Sequence, residues 1–190
     1  MKTFRTLLPF LGLLIITSCI ETTSIGPQGP QGPVGPVGPT GAPGESGFVF
    51  EFTNVNFTAP AYDVILSYPT DFQPLASDVA LVYLLWEVQV IDGADVEIWR
   101  QLPQTVFTDY GTLLYNFDHT PFDVRLFLDA NFPLDFLTAI DTDQWIARVV
   151  VVPGNFWNSG RLDFSDYNTV KNALGLPDLP THSAIPRRKL

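Results

Sequence analysis

Cysteine is all but absent from this 190-residue chain: Cys19 is the only one. A single thiol can form neither an intrachain disulfide nor a thiolate metal cluster. Histidine is nearly as scarce. His119 and His182 are far apart and outside any HxxxH spacing, which argues against a His-rich zinc site. Lys and Arg together number 10 against 20 Asp and Glu, a formal net charge of −10. So acidic a surface repels nucleic acid and anionic headgroups and mainly promotes solubility, so nucleic acid is set aside as a partner. Ser67, Ser77, Ser159 and Ser165 all lie outside a GxSxG motif, and neither a GxGxxG fingerprint nor a P-loop is present. No motif asks for a cofactor. Apolar residues, by contrast, are plentiful at 46%, too many for a chain disordered throughout and enough for one domain of ordinary size.

The first 18 residues read as a signal peptide. Lys2 and Arg5 form a positive n-region and Leu7 to Ile16 an apolar run too short to span a membrane. The run ends in Ile16-Thr17-Ser18-Cys19, which resembles the bacterial lipobox. That resemblance implies lipid attachment at Cys19, and several acyl chains on one residue give stable anchoring. By resemblance to the sorting rule of Gram-negative lipoproteins, Ile20 after the cysteine implies the outer membrane, on either its periplasmic or its cell-surface face. Residues 19–25 are then a lipidated tether.

From Gly26 to Gly47 glycine falls at every third position: 26, 29, 32, 35, 38, 41, 44 and 47. Proline fills the second position of the first five triplets. This is the collagen pattern, in which only glycine fits the axis of three wound polyproline-II chains. Extended in that conformation, the tract spans roughly 65 Å. It reads either as a homotrimeric triple helix or as a stiff single-chain spacer. A spacer needs proline but no glycine register, so the strict period favours the trimer.

At Phe48 the period changes from three to two. Phe48, Phe50 and Phe52 alternate with Val49, Glu51 and Thr53, and the apolar set then moves to Val55 and Phe57, which predicts a bulge near Asn54. Tyr62 to Tyr68 predicts a second strand, and Val79 to Ile91, apolar on both faces, a central one. Asp92-Gly93 marks a turn. A two-residue loop would set Val88 opposite Glu97. A loop of Asp92, Gly93 and Ala94 pairs Val90 with Val96 and Val88 with Ile98, and brings Trp86 beside Arg100; side-chain matching favours this longer loop. Further strands are expected at Leu113 to His119, Phe122 to Asp129 (Phe122, Val124, Leu126 and Leu128 inward) and Trp145 to Val152. A late helix with Ser165 as N-cap, Tyr167, Val170 and Leu174 on one face and Gly175 at C′ completes residues 48–176. Residues 177–190 read as a Pro-rich mobile tail. The expected fold is all-β: an antiparallel sandwich or jelly-roll-like domain with one short C-terminal helix.

The order of these features resembles a family of short collagen-like lipoproteins of Gram-negative bacteria, with a lipobox, a few GPx triplets and a β-rich C-terminal domain of uncharacterised function. The match is carried by Leu81-Val82-Tyr83, Trp99 to Thr105, Leu114 to Asp118, Arg125 to Asp129 and Arg148 to Pro153. It implies no catalytic residues. Phe57-Thr58-Ala59-Pro60 is similar to a run in the trimeric jelly rolls that follow collagen stalks in complement and tumour-necrosis-factor proteins, from which only the architecture is borrowed.

Two acidic pairs, Asp141 with Asp143 and Asp163 with Asp166, are candidates for calcium, weakened by the missing DxDxDG continuation. Helix and turn capping explains them more simply, and a glycosidase pair would need a cleft. His119, at a strand end, reads as a turn or packing residue. Trp99 shares a strand face with Glu97 and Gln101, and Phe156 and Trp157 fall in a loop. Aromatics so placed can stack on sugars or anchor a protein interface, or else cover an open end of the sandwich. The leading expectation is a lipid-anchored structural or display protein, not an enzyme. A glycan- or protein-binding module using Trp99, Phe156 and Trp157 comes second, and an envelope hydrolase last.

Overall fold

The computed structural model describes residues 47–157 and 162–183. The signal peptide, Cys19, the tether, the collagen-like tract as far as Ser46, the side chain of Trp157 and the tail from residue 184 lie outside the described residues. Within them the chain forms strands β1 (Phe48–Val55), β2 (Asp63–Ser67), β3 (Val79–Ile91), β4 (Ala94–Gln101), β5 (Gln104–Thr108), β6 (Gly111–His119), β7 (Asp123–Ala130) and β8 (Trp145–Val152). Short helices α1 (Ala139–Thr142) and α2 (Gly154–Trp157) flank β8, and α3 (Tyr167–Leu174) follows. One antiparallel sheet has the order β1-β8-β3-β4 and the other β2-β7-β6-β5. Jelly rolls also pair β1 with β8 and β2 with β7. Here, however, β3–β4 and β5–β6–β7 stay within one sheet as a hairpin and a meander instead of crossing between sheets.

Alternation places one set of side chains from each sheet in a shared core. Val82, Leu84 and Trp86 of β3 and Val149 and Val151 of β8 meet Leu113 and Tyr115 of β6 and Val124, Leu126 and Leu128 of β7. Each such side chain contributes about 1.5–3 kcal/mol relative to exposure. The other face of the first sheet is covered as well. Leu81 and Tyr83 of β3 and Val150 and Val152 of β8 pack on Tyr167, Val170 and Leu174 of α3. This second layer explains the apolar residues on both faces of β3: from Ala80 to Trp86 that strand, like β8 along its whole length, is buried on both sides.

The bulge expected near Asn54 is present as a register shift between Phe52 and Val55, with Asn54 at φ 54°. The β3–β4 loop differs from expectation. It has two residues, Asp92 and Gly93, at φ 52° and 81°, so that Val88 lies opposite Glu97. Two positive φ values in succession make a type I′ turn, whose twist matches the strands. Side-chain matching does not set this register, because β8 pairs with β3 only from Val79 to Leu84. Beyond that the hairpin projects, and Val90 is 72% exposed with no burial to satisfy. A bulge at Trp86 then shifts the register, and the Arg100 guanidinium still stacks 4.5 Å from the Trp86 ring.

Other corrections are local. Phe122 precedes its strand and is exposed, not inward. The α3 N-cap is Asp166, not Ser165: its carboxylate accepts from the backbone N–H groups of Asn168 and Thr169, and Ser165 instead donates to Asp163. Gly175 ends the helix at φ 61°, as expected. Strand β5 was not anticipated. Residues 177–183, read as part of a mobile tail, make hydrogen bonds to the first sheet.

Candidate functional site

The covered face of the first sheet holds the densest polar cluster among the described residues. Strand register puts Glu51 of β1 and Tyr83 of β3 on either side of Arg148 of β8. Arg148 is only 4% exposed. Its Nε donates to Glu51 Oε2 at 2.9 Å, and its Nη1 lies 3.5 Å from Glu97 Oε2. The guanidinium stacks 3.9 Å from the Trp99 ring centroid and 4.8 Å from that of Tyr167. Trp99 Nε1 donates to Glu97 at 3.0 Å.

The segment after α3 closes this cluster. The Pro180 carbonyl accepts from Arg148 at 3.4 Å, the His182 backbone N–H donates to Glu97 Oε1 at 2.7 Å, and His182 Nε2 lies 3.1 Å from Glu51 Oε1. Lys171 of α3 pairs with Asp178. A buried arginine shared between two carboxylates is tolerable only because each charge has partners. Chemically the cluster is a fastener. Its charged groups are directed at one another, and it ties the C-terminal segment to the sheet.

This accounts for two of the aromatic candidates. Trp99 does lie on the outward face of β4, but α3 covers that face. Phe156 also packs against this outer apolar cluster. Alternation along β4 reports which face Trp99 occupies; it cannot report that a helix some 70 residues later covers that face. Arg148 was quoted only as part of a resemblance, and its role went unread. The available signal was a lone arginine inside the apolar run Trp145 to Val152, which demands acidic partners.

The acidic pairs are engaged in local geometry. Thr138 N and Oγ1 donate to Asp141 Oδ2 at 3.0 and 2.9 Å, closing a capping box on α1. The Asp141 carbonyl accepts from both Tyr115 Oη and Trp145 Nε1, at 2.9 and 2.8 Å. Asp143 accepts from Thr142 Oγ1. Asp163 accepts from Ser165, which holds its carboxyl below the usual range. Among the described residues no group of three or more His, Cys, Asp or Glu side chains is placed to hold a metal. His119 is exposed at the end of β6.

A second site, not anticipated, is a basin of about 720 Å³ lined by Asn54, Asn56, Tyr62, Thr138, Asp143 and Gln144 among others. It lies past the C-terminal end of β1, where Val55 faces Trp145, whereas Gly47 adjoins the opposite end of the same strand. Asn54, Tyr62 and Gln144 all have left-handed backbones, at φ 54°, 50° and 55°. Asn56 braces two of them, donating to the Asn54 carbonyl and accepting from the Gln144 N–H, each at 2.8 Å. Non-glycine residues in this region are strained and persist only where their surroundings hold them.

No family model matches the chain, and neither the curated proteins nor the solved structures searched contain a match to it.

Proposed function

We propose that this chain is a lipid-anchored envelope protein whose collagen-like stalk holds a jelly-roll-like β-domain away from the bacterial outer membrane. The observation that carries this reading is the unbroken glycine period from Gly26 to Gly47, bounded by the lipobox-like Cys19 on one side and β1 on the other. The role is mechanical, with no catalytic step: the lipid fixes one end, the stalk sets the distance, and three chains on one stalk supply avidity. Glycine at the axis is what the triple helix cannot replace. The detergent-solubilised full chain is therefore expected to have the mass of a trimer, and Gly35→Glu to shift it to the monomer. A monomeric wild type overturns the trimeric stalk.

A second reading, recognition of a glycan or protein, is favoured by the basin, because it lies at the end of the sandwich remote from the stalk attachment. Its amide, hydroxyl, tyrosine and Asp143 carboxylate lining suits a hydroxyl-rich ligand such as a saccharide. On a glycan array the wild type is expected to bind and Tyr62→Ala to lose binding while keeping its near-UV circular dichroism. An array blank for the wild type would turn this reading away from glycans.

A further inference from the structure

We infer that the end of the sandwich where the collagen-like tract arrives is a self-association surface, occupied by a second copy of this chain. The inference rests on the triple-helical reading of the stalk and names the contact that this reading requires.

The starting point is Gly47, the last glycine of the period. It is buried in the domain: a Cβ at this position would stand 2.9 Å from Leu174 Cδ1 and 3.1 Å from the Val151 carbonyl oxygen. A glycine packed between β8 and α3 is not available to the axis of a triple helix. The last glycine that is available is Gly44. Three residues of extended chain reach at most about 10 Å, so each domain of a trimer is tethered within about that distance of the stalk's end. A sandwich is wider than this tether: its sheets lie about 10 Å apart, and four strands at about 4.8 Å spacing add to its breadth. On such short leashes three domains are held side by side. They meet at the end that carries Gly47.

That end is apolar. Phe48, next to Gly47, is 52% exposed, Leu75 65% and Phe122 67%. They share one region: the Phe48 ring packs 4.8 Å from Phe72, Phe72 packs 5.4 Å from Tyr68, and the Tyr68 N–H bonds to the Phe122 carbonyl. Between them a cleft of about 240 Å³ is lined mainly by apolar side chains such as Leu75, Ala80, Pro121 and Val151, with His119 and Thr120 among its polar lining, and Val151 is the β-ladder partner of Phe48. Asp78, at the cleft, is turned to internal use, accepting from the backbone N–H groups of Leu75 and Gly154. The opposite end of the sandwich is the polar basin. In a three-fold ring the contact is heterologous: the aromatic surface of one copy meets the cleft of the next. Such a contact need not reach the ~800 Å² per partner of a self-sufficient interface. It stabilises copies that the stalk already holds at high effective concentration.

The test compares three full-length chains in detergent: wild type, Leu75→Ser with Phe122→Ser, and Val90→Ser as an equally exposed control at the hairpin tip. The readout is the protein concentration at which half the trimer has dissociated. The double variant is expected to dissociate at a concentration at least about tenfold higher than wild type, and the control at the wild-type concentration. Near-UV circular dichroism checks the fold, and Leu75→Ser alone, outside any strand, replaces the double variant if that spectrum changes. A trimeric wild type with an unaffected double variant overturns the self-association surface and leaves the stalk reading intact. A wild type that is monomeric throughout overturns the stalk reading, and the surface with it.

Discussion

Arg148→Ala is expected to destabilise the β-domain by about 3–5 kcal/mol, the range found when one partner of a buried ion pair is removed. Small domains are stable by only about 5–15 kcal/mol, so this loss alone can leave a sizeable unfolded fraction. The cause is what remains behind. Glu51 and Glu97 both direct carboxylate oxygens at the guanidinium, and without it two largely desolvated negative charges share one site. The rings of Trp99 and Tyr167 lose the cation they stack on, and the Pro180 carbonyl loses a donor. Arg148→Met combined with Glu51→Gln and Glu97→Gln should recover much of the loss, because neutral groups of similar shape leave no charge uncompensated. Urea unfolding of the wild type and these two variants checks this. A loss below about 1 kcal/mol for Arg148→Ala would mean the cluster is solvated like a surface pair.

Alkaline unfolding between pH 10 and about 12 is the second large effect expected. Burial pushes the Tyr68 phenol up from the ordinary 10.0 to about 12, and burial also raises Tyr83 and Tyr167. Tyr83 donates to the Phe164 carbonyl at 2.5 Å, a bond that its phenolate could not donate. The folded state keeps these protons after the unfolded state has begun to lose them. The stability these phenols contribute is therefore fully present below pH 10, falls through the interval where only the unfolded chain ionises, and is gone once the folded pKa values are passed. Thermal melts at stepped pH, followed by near-UV circular dichroism, should show a midpoint that is level below pH 10 and then descends steeply. A midpoint still level at pH 12 would mean that these phenols are not buried.

Much of the β-domain was legible because a half-buried strand alternates. Val124, Leu126 and Leu128 declare their face, and the doubly apolar run of β3 declares a central strand with both faces covered. What covers them was not legible, since a helix from one end of the chain and a strand from another meet only in three dimensions. The same limit misplaced Trp99. The β3–β4 register went wrong for a different reason. Hydrophobic matching presumes that both strands are buried along their length, and the hairpin outruns its neighbour β8. Asp166 displaced Ser165 as N-cap by one residue, within the reach of two equally suitable capping side chains. The basin was invisible in sequence because its residues, 54–62 and 137–144, are brought together by the pairing of β1 with β8.

The most direct measurement is the mass of the detergent-solubilised full chain, with and without residues 26–46, Gly47 being kept because it belongs to the sandwich. Three copies with the tract, and dissociation to single copies on dilution without it, are expected of a triple-helical stalk that assembles the domains. A single copy with the tract intact would contradict it.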